Sequence, residues 1–119
     1  MKKKAIIVSI KGYKLSIKER ELLSKEKPWG LILFKRNIKS LKQIQNLTKN
    51  IKKYTKDKKF PILIDEEGIE VSRLSKIFNH NTNANLFGSL YEKNKQFAIS
   101  LYKLYLINLC STLRKIGVN

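Results

Sequence analysis

The sequence predicts an α/β fold, read as the first three βα units of a (β/α)8 TIM-type barrel and incomplete in this chain. Three observations carry that expectation. Short β-branched apolar runs alternate with stretches of helical period, in the order strand, helix, strand, helix, strand, loop, helix. That order marks a parallel sheet with crossover helices. The runs are continuously apolar rather than alternating, the pattern of strands covered on both faces. After the first run comes Lys11-Gly12-Tyr13, with one glycine, so the Gly-rich phosphate loop of a dinucleotide fold is poorly supported. A whole barrel needs about 250 residues, and 119 residues make less than half of one.

The elements follow in order. Residues 5–10 form a strand by their β-branched run. Ser16-Ile17-Lys18-Glu19 is a capping-box pattern that opens a helix running to about residue 25. Pro28 and Gly30 punctuate the chain before a second buried strand at 31–34, which ends in Lys35-Arg36-Asn37. Ser40 caps a second helix, with Leu41, Ile44, Leu47 and Ile51 at helical spacing. A basic link at 52–59 carries five lysines and reads as a solvated helix end and turn. Pro61 opens the third strand. A long loop is expected over 66–93, then a well-buried helix over 94–116 with Gly117 as its stop. Residues 113–119 resemble the lead into a fourth strand, so residues 1–119 are expected to be the N-terminal portion of one barrel domain.

The third strand is the most informative place. Ile62-Leu63-Ile64 ends in Asp65-Glu66-Glu67-Gly68, followed by Arg73. Four of the nine acidic residues lie between positions 65 and 70, in a chain of net charge +17. A buried strand that delivers carboxylates to a loop suits a polyhydroxylated or cationic ligand, although a solvated acidic turn produces the same pattern.

Composition excludes several classes. At 42% hydrophobic residues the chain is not disordered by composition. The pI of 10.1 suggests a nucleic-acid partner. Against it, only 4 of the 26 cationic residues are Arg, the residue whose planar fork reads phosphates and base edges. The lysines run from Lys2 to Lys115, and Lys, Asn and Ile together make 47 of 119 residues, a bias that AT-rich codons supply. Nucleic acid is therefore not expected as the main partner. A single cysteine excludes an internal disulfide and a Cys-based metal site, and Cys110 reads as a buried core thiol. The single His80 excludes a His pair and reads as a solvated loop residue. No metal and no nucleotide cofactor is implied.

Lys2-Lys3-Lys4 and the apolar run after it mimic the start of a signal peptide, but the run is too short and lacks a cleavage site. The stretch 97–113 is interrupted by Lys103 and Asn108, so a membrane span is not expected. Asn46-Leu47-Thr48 fits a glycosylation sequon, which means little without a secretory signal. These points favour a reduced, cytoplasmic setting.

An ordered series of motifs resembles a known family. It comprises Glu19-Arg20-Glu21-Leu22-Leu23, then Gly30-Leu31-Ile32-Leu33-Phe34-Lys35-Arg36-Asn37, then Gln43-Ile44 with Leu47 and Ile51. It ends in Asp65-Glu66-Glu67-Gly68 with Val71 and Arg73-Leu74, against a family pattern of D-x-E-G-G-x-V-x-R-L. Over nearly all its length the chain resembles the N-terminal part of glycoside hydrolase family 3, nearest the bacterial β-N-acetylhexosaminidases of cell-wall recycling. The resemblance implies a (β/α)8 barrel that removes terminal N-acetylglucosamine by a retaining, two-step mechanism, with an N-acetylglucosamine-containing saccharide as partner. It implies that Asp65 binds sugar hydroxyls and that Arg73 shapes the same subsite. Arg36, Asn37 and Glu67 match family positions and are candidate site-lining residues, Glu67 as a loop-ordering group first; the competing reading for Arg36 and Asn37 is that these second-strand positions support the barrel rim without touching sugar. A salt bridge from Arg73 to Glu66, Glu67 or Glu70 is the competing reading for that arginine.

Two departures stand out. Ile69 replaces the family's second glycine, and Glu70 its usual basic residue, so a rearranged loop is expected. The family's Lys-His segment, its His-bearing acid/base loop and its aspartate nucleophile have no counterpart in these residues. A retaining glycosidase needs a nucleophile and an acid/base flanking the bond, which Asp65, Glu66 and Glu67, adjacent on one loop, do not provide. No catalytic residue is therefore assigned, and the chain alone is expected to be inactive. Two alternatives stand beside this reading. One is a non-catalytic sugar-binding module or a fragment that pairs with a separately supplied C-terminal half; the other is a basic nucleic-acid-binding protein.

Overall fold

The computed structural model describes residues 3–79 and 82–119; the reading of His80 falls outside them. In order, β1 (Lys4–Val8) is followed by α1 (Ile17–Glu26), β2 (Pro28–Leu33), a 3-10 turn (Lys35–Asn37), α2 (Leu41–Thr55), β3 (Ile62–Ile64), α3 (Ala84–Lys93) and α4 (Lys95–Lys115). The three strands form a parallel sheet in the order β1-β2-β3. The α/β class, the parallel pairing and the crossover helices are as the sequence predicts.

Local chemistry explains the helix starts. Ser16 caps α1 with the full capping box: the Glu19 N–H donates to Ser16 Oγ, and the Ser16 N–H donates to Glu19 Oε2 at 2.7 Å. Ser40 Oγ accepts from the Gln43 N–H at the start of α2. Leu23 of α1 and Ile44, Leu47 and Ile51 of α2 face inward against Leu31 and Leu33 of β2 and Ile62 of β3, which together form the core. The 3.6-residue period of α2 thus sets which of its sides is buried.

Several expectations are corrected. The second strand begins at Pro28, so Gly30 lies inside it rather than before it. A Cβ at Gly30 would sit 3.2 Å from the Pro61 carbonyl oxygen and 3.3 Å from a Leu63 methyl, so its lack of a side chain lets β3 approach. The first strand ends at Val8, and most of β1 is exposed, with Ile6 47% and Ile7 49% accessible. Continuous apolar character therefore does not mean covered faces here: every residue of β1 but Val8 is exposed. The stretch 66–93 contains a helix, α3. Asn83 caps it through its side chain, which accepts from the Leu86 N–H at 2.9 Å, and the Asn-rich composition hid that signal. Helix α4 is not well buried: Ala98 and Leu109 are its buried residues, while Phe97, Leu104 and Ile107 are exposed. Cys110 is exposed on it, not a core thiol. No helix among the described residues is long and apolar enough to cross a membrane.

After α4 the chain returns to the sheet. The Asn119 N–H donates to the Ile62 carbonyl (3.3 Å), and the Ile62 N–H donates to Asn119 Oδ1 (3.2 Å). Residues 116–119 thus run up to the outer side of β3, and Ile116 and Val118 are buried.

Candidate functional site

The carboxyl ends of parallel strands are where α/β folds gather ligand groups, because the loops that leave them converge there. Here the segments after β1, β2 and β3 meet. Asn37, at the end of the turn that follows β2, is fully buried. Its Nδ2 donates to the carbonyls of Ile10 (3.1 Å) and Gly12 (3.0 Å), and its Oδ1 accepts from the Phe34 N–H (2.9 Å). Arg36 reinforces the same join through Nε to the Ile10 carbonyl and a terminal nitrogen to Ser9 Oγ, both at 3.2 Å. From α1, Glu19 Oε1 accepts from the Lys11 N–H at 2.8 Å. Burial alone would raise the Glu19 pKa. Hydrogen bonds from the Lys11 and Ser16 N–H groups and the Ser16 hydroxyl, with the Lys11 charge, hold it below the usual carboxylate value.

Asp65 follows directly on β3 and is exposed. The turn after it is narrow. Glu66 and Ser72 form an antiparallel bridge, and the Glu67 N–H donates to the Val71 carbonyl at 2.9 Å. Gly68 takes the reversal at φ +122°, a region that L side chains rarely adopt. The left-handed position therefore falls on the glycine that is kept, and Ile69 does not adopt positive φ. Glu66 Oε2 accepts from the N–H groups of Arg73 and Leu74, each at 2.9 Å, and Leu74 is fully buried. Those contacts present Arg73 toward Asp65.

The Arg73 guanidinium lies 3.9 Å from Asp65 Oδ2. The competing expectation, a bridge to Glu66, Glu67 or Glu70, is not what this geometry favours: Glu66 is engaged with backbone N–H groups, and Asp65 is the carboxylate opposite the guanidinium. Arg73 also lies over the Phe34 ring at 5.9 Å, and Arg36 over the same ring at 4.6 Å. Arg73 Nε is buried without a hydrogen-bond partner among the described residues. On the α4 side, Tyr105 is shifted upward by burial and by the nearby Glu66 charge.

Of the five candidates, Asp65 and Arg73 are brought together with Arg36 close by, linked through Phe34. Glu67 is exposed and orders the turn through its backbone. Asn37 does not line the site: with both ends of its amide bonded to backbone and no exposed surface, it ties the loops beneath it. Phe34 was missed as a site residue; its only sequence signal is an aromatic between a buried strand and a basic turn. The described residues contain no group of three His, Cys, Asp or Glu side chains able to hold a metal ion.

No family model matches the chain. A β-hexosaminidase of Psychromonas ingrahamii is 36% identical over 89 residues, covering 75% of this chain and 25% of that protein. NagZ from Neisseria gonorrhoeae, solved in complex with zinc ion, superposes with a TM-score of 0.89 at 25% identity over 98% of this chain and 34% of its own. The same protein in complex with N-trifluoroacetyl-D-glucosamine gives a TM-score of 0.70 at 28% identity, over 77% of this chain and 26% of its own. A glycoside hydrolase family 3 β-N-acetylglucosaminidase from Paenibacillus sp. str. FPU-7 shares the fold, with a TM-score of 0.74 at 22% identity over 95% of this chain and 21% of its own. The chain thus spans 25% of the length of that β-hexosaminidase and 34% of that NagZ chain.

Proposed function

We infer, from a chain that corresponds in sequence and fold to the N-terminal part of the glycoside hydrolase family 3 β-hexosaminidases, that it builds the sugar-holding side of a site for terminal N-acetylglucosamine. The carrying observation is the Asp65–Arg73 pair at the carboxyl end of β3, with a buried Arg73 Nε that has no hydrogen-bond partner among the described residues. A carboxylate accepts from two sugar hydroxyls at once, and a guanidinium supplies donors in a fixed plane. Phe34 and Arg36 keep that plane in place from one side. That a relative is solved with an N-acylated glucosamine supports the substrate class.

The reading divides binding from chemistry. Hydrolysis with retention needs two groups on opposite sides of the glycosidic bond. Asp65, Glu66 and Glu67 leave one strand on one turn and do not flank such a bond, so Asp65 holds sugar, Glu66 and Glu67 order the turn, and none of the three cleaves it. The sheet is read as part of a (β/α)8 barrel. In support, Asn119 pairs beside β3 where a fourth strand would lie, and Ile6, Ile7 and Trp29 are exposed on β1 and β2. Further polypeptide, continuous or supplied as a separate half, would cover those side chains and bring the catalytic groups. A cytoplasmic role in peptidoglycan recycling belongs to the same proposal, and the free, exposed Cys110 suits a reducing setting.

The test is a titration with N-acetylglucosamine followed by calorimetry and amide NMR. Shifts confined to residues 34–37 and 65–74, lost in Asp65→Ala, are the expected result. An absence of shifts at saturating sugar, or hydrolysis of an aryl N-acetylglucosaminide by this chain alone, would overturn the reading.

A further inference from the structure

We propose that the outer face of α2, with the two clefts that flank it, binds the phosphodiester backbone of a nucleic-acid strand irrespective of sequence. Lys42, Gln45, Asn46, Lys49, Asn50 and Lys53, with Lys56 at the helix end, are all exposed. At 3.6 residues per turn they fall on one side, opposite the buried Ile44, Leu47 and Ile51. From Lys42 to Lys56 the face runs roughly 21 Å, room for about six phosphates at 3.4 Å of strand rise.

The helix carries no acidic residue, not even in its first turn, where one would be favourable. Lys49 and Lys53 stand four apart, a like-charge spacing that destabilises a helix. A merely solvated face usually mixes both signs; this one keeps a single sign and offsets the repulsion by core burial.

The two clefts extend the surface. One, of about 520 Å3, sets Lys14, Arg20 and Lys42 beside the amides of Asn46 and Asn50 and the Tyr54 ring. Its lining includes no acid. The other, of about 590 Å3, has Lys49, Lys53 and Lys56 on one wall and Arg114 and Lys115 on the other. Asp57, its acidic member, is paired with Lys3 at 2.7 Å. Lysines that are scattered along the chain are thus gathered by the fold. With no Arg on α2, backbone contacts rather than base readout follow. An anionic membrane would meet the same charges. Concave, amide-lined clefts suit a strand better, and no large apolar side chain is exposed between residues 42 and 56 to insert into lipid. The surface uses no residue of the Asp65–Arg73 site, so it stands or falls independently of the sugar reading.

Fluorescence anisotropy with labelled 12-nucleotide RNA and DNA of two unrelated sequences, between 50 and 200 mM salt, tests it. The expected result is similar affinity for both sequences, falling with salt. The triple variant Lys42→Gln, Lys49→Gln, Lys53→Gln should lose about ten-fold at low salt, and its log–log salt slope should drop by about 2, at roughly 0.7 per contact. The control triple Lys93→Gln, Lys95→Gln, Lys103→Gln should change little. Lysine acetylation of the unmodified protein, read by mass spectrometry, should show oligonucleotide protection concentrated on residues 42–56. Equal losses in both triples, protection spread over the whole chain, no binding at 50 mM salt, or capture by phosphatidylserine vesicles but not by oligonucleotides would each overturn the proposal.

Discussion

Asn37→Ala is the most informative single perturbation, because one side chain joins the ends of two strands. Truncation removes three hydrogen bonds at once: those to the Ile10 and Gly12 carbonyls and that from the Phe34 N–H. The Ile10 carbonyl keeps Arg36 Nε as a partner, so its loss is about 1 kcal/mol. The Phe34 N–H and the Gly12 carbonyl lose their Asn37 partner beneath a side chain that was fully buried, at about 1–3 kcal/mol each. With solvent reaching one of them, the total is about 3–5 kcal/mol, a large fraction of the roughly 5–15 kcal/mol that holds a small domain together. Urea denaturation followed by circular dichroism, with the slope unchanged and the midpoint lowered, reads this directly. Asn37→Asp should be at least as damaging. It keeps the acceptor for Phe34 but turns a carboxylate oxygen toward two carbonyls. A loss below about 1 kcal/mol for Asn37→Ala would refute the claim that this residue fixes the loops beneath the site.

The other expectations are smaller. Arg73→Lys keeps a charge near Asp65 but loses the planar fork over Phe34, so N-acetylglucosamine binding should weaken by about ten-fold, roughly 1.4 kcal/mol, in calorimetry; unchanged affinity would remove Arg73 from the site. Gly68→Ala meets no close atom, the nearest being the Thr82 carbonyl oxygen at 3.6 Å, so its cost is the backbone alone at φ +122°. A loss of about 1–3 kcal/mol in thermal or urea melts is expected. Glu19 is held below its ordinary pKa, so the stability it lends is present above about pH 4.3 and is lost as pH falls toward the lowered folded value. Glu19→Gln should flatten that acid limb of a stability–pH profile, and an unchanged limb would show that other carboxylates carry it.

How far the sequence is legible depends on how local the determining contact is. The helix starts at Ser16 and Ser40 are set within four residues by side chains that satisfy free N–H groups, and both could be read directly. Helix α3 follows the same rule through Asn83, but asparagine-rich composition gave several equivalent candidates and no choice among them. Asp65 was legible because a buried strand ends on it. The ion-pair partner of Arg73 was not, since Glu66, Glu67 and Glu70 all stand nearer to it in sequence than Asp65 does. The Glu66 carboxylate turned to the backbone decides the matter.

The sequence by itself determined the order of elements as far as the third strand, the parallel α/β class and the polar cluster at that strand's end, because periodicity and capping act over a few residues. Only the tertiary structure decided which apolar side chains are covered. Helix α4 has the composition of a core helix, yet Phe97, Leu104, Ile107 and Cys110 lie on its surface. Asn37 has the composition of a surface turn, yet it is fully buried. Burial is a property of what packs against a face, and that partner lies far along the chain or outside the described residues.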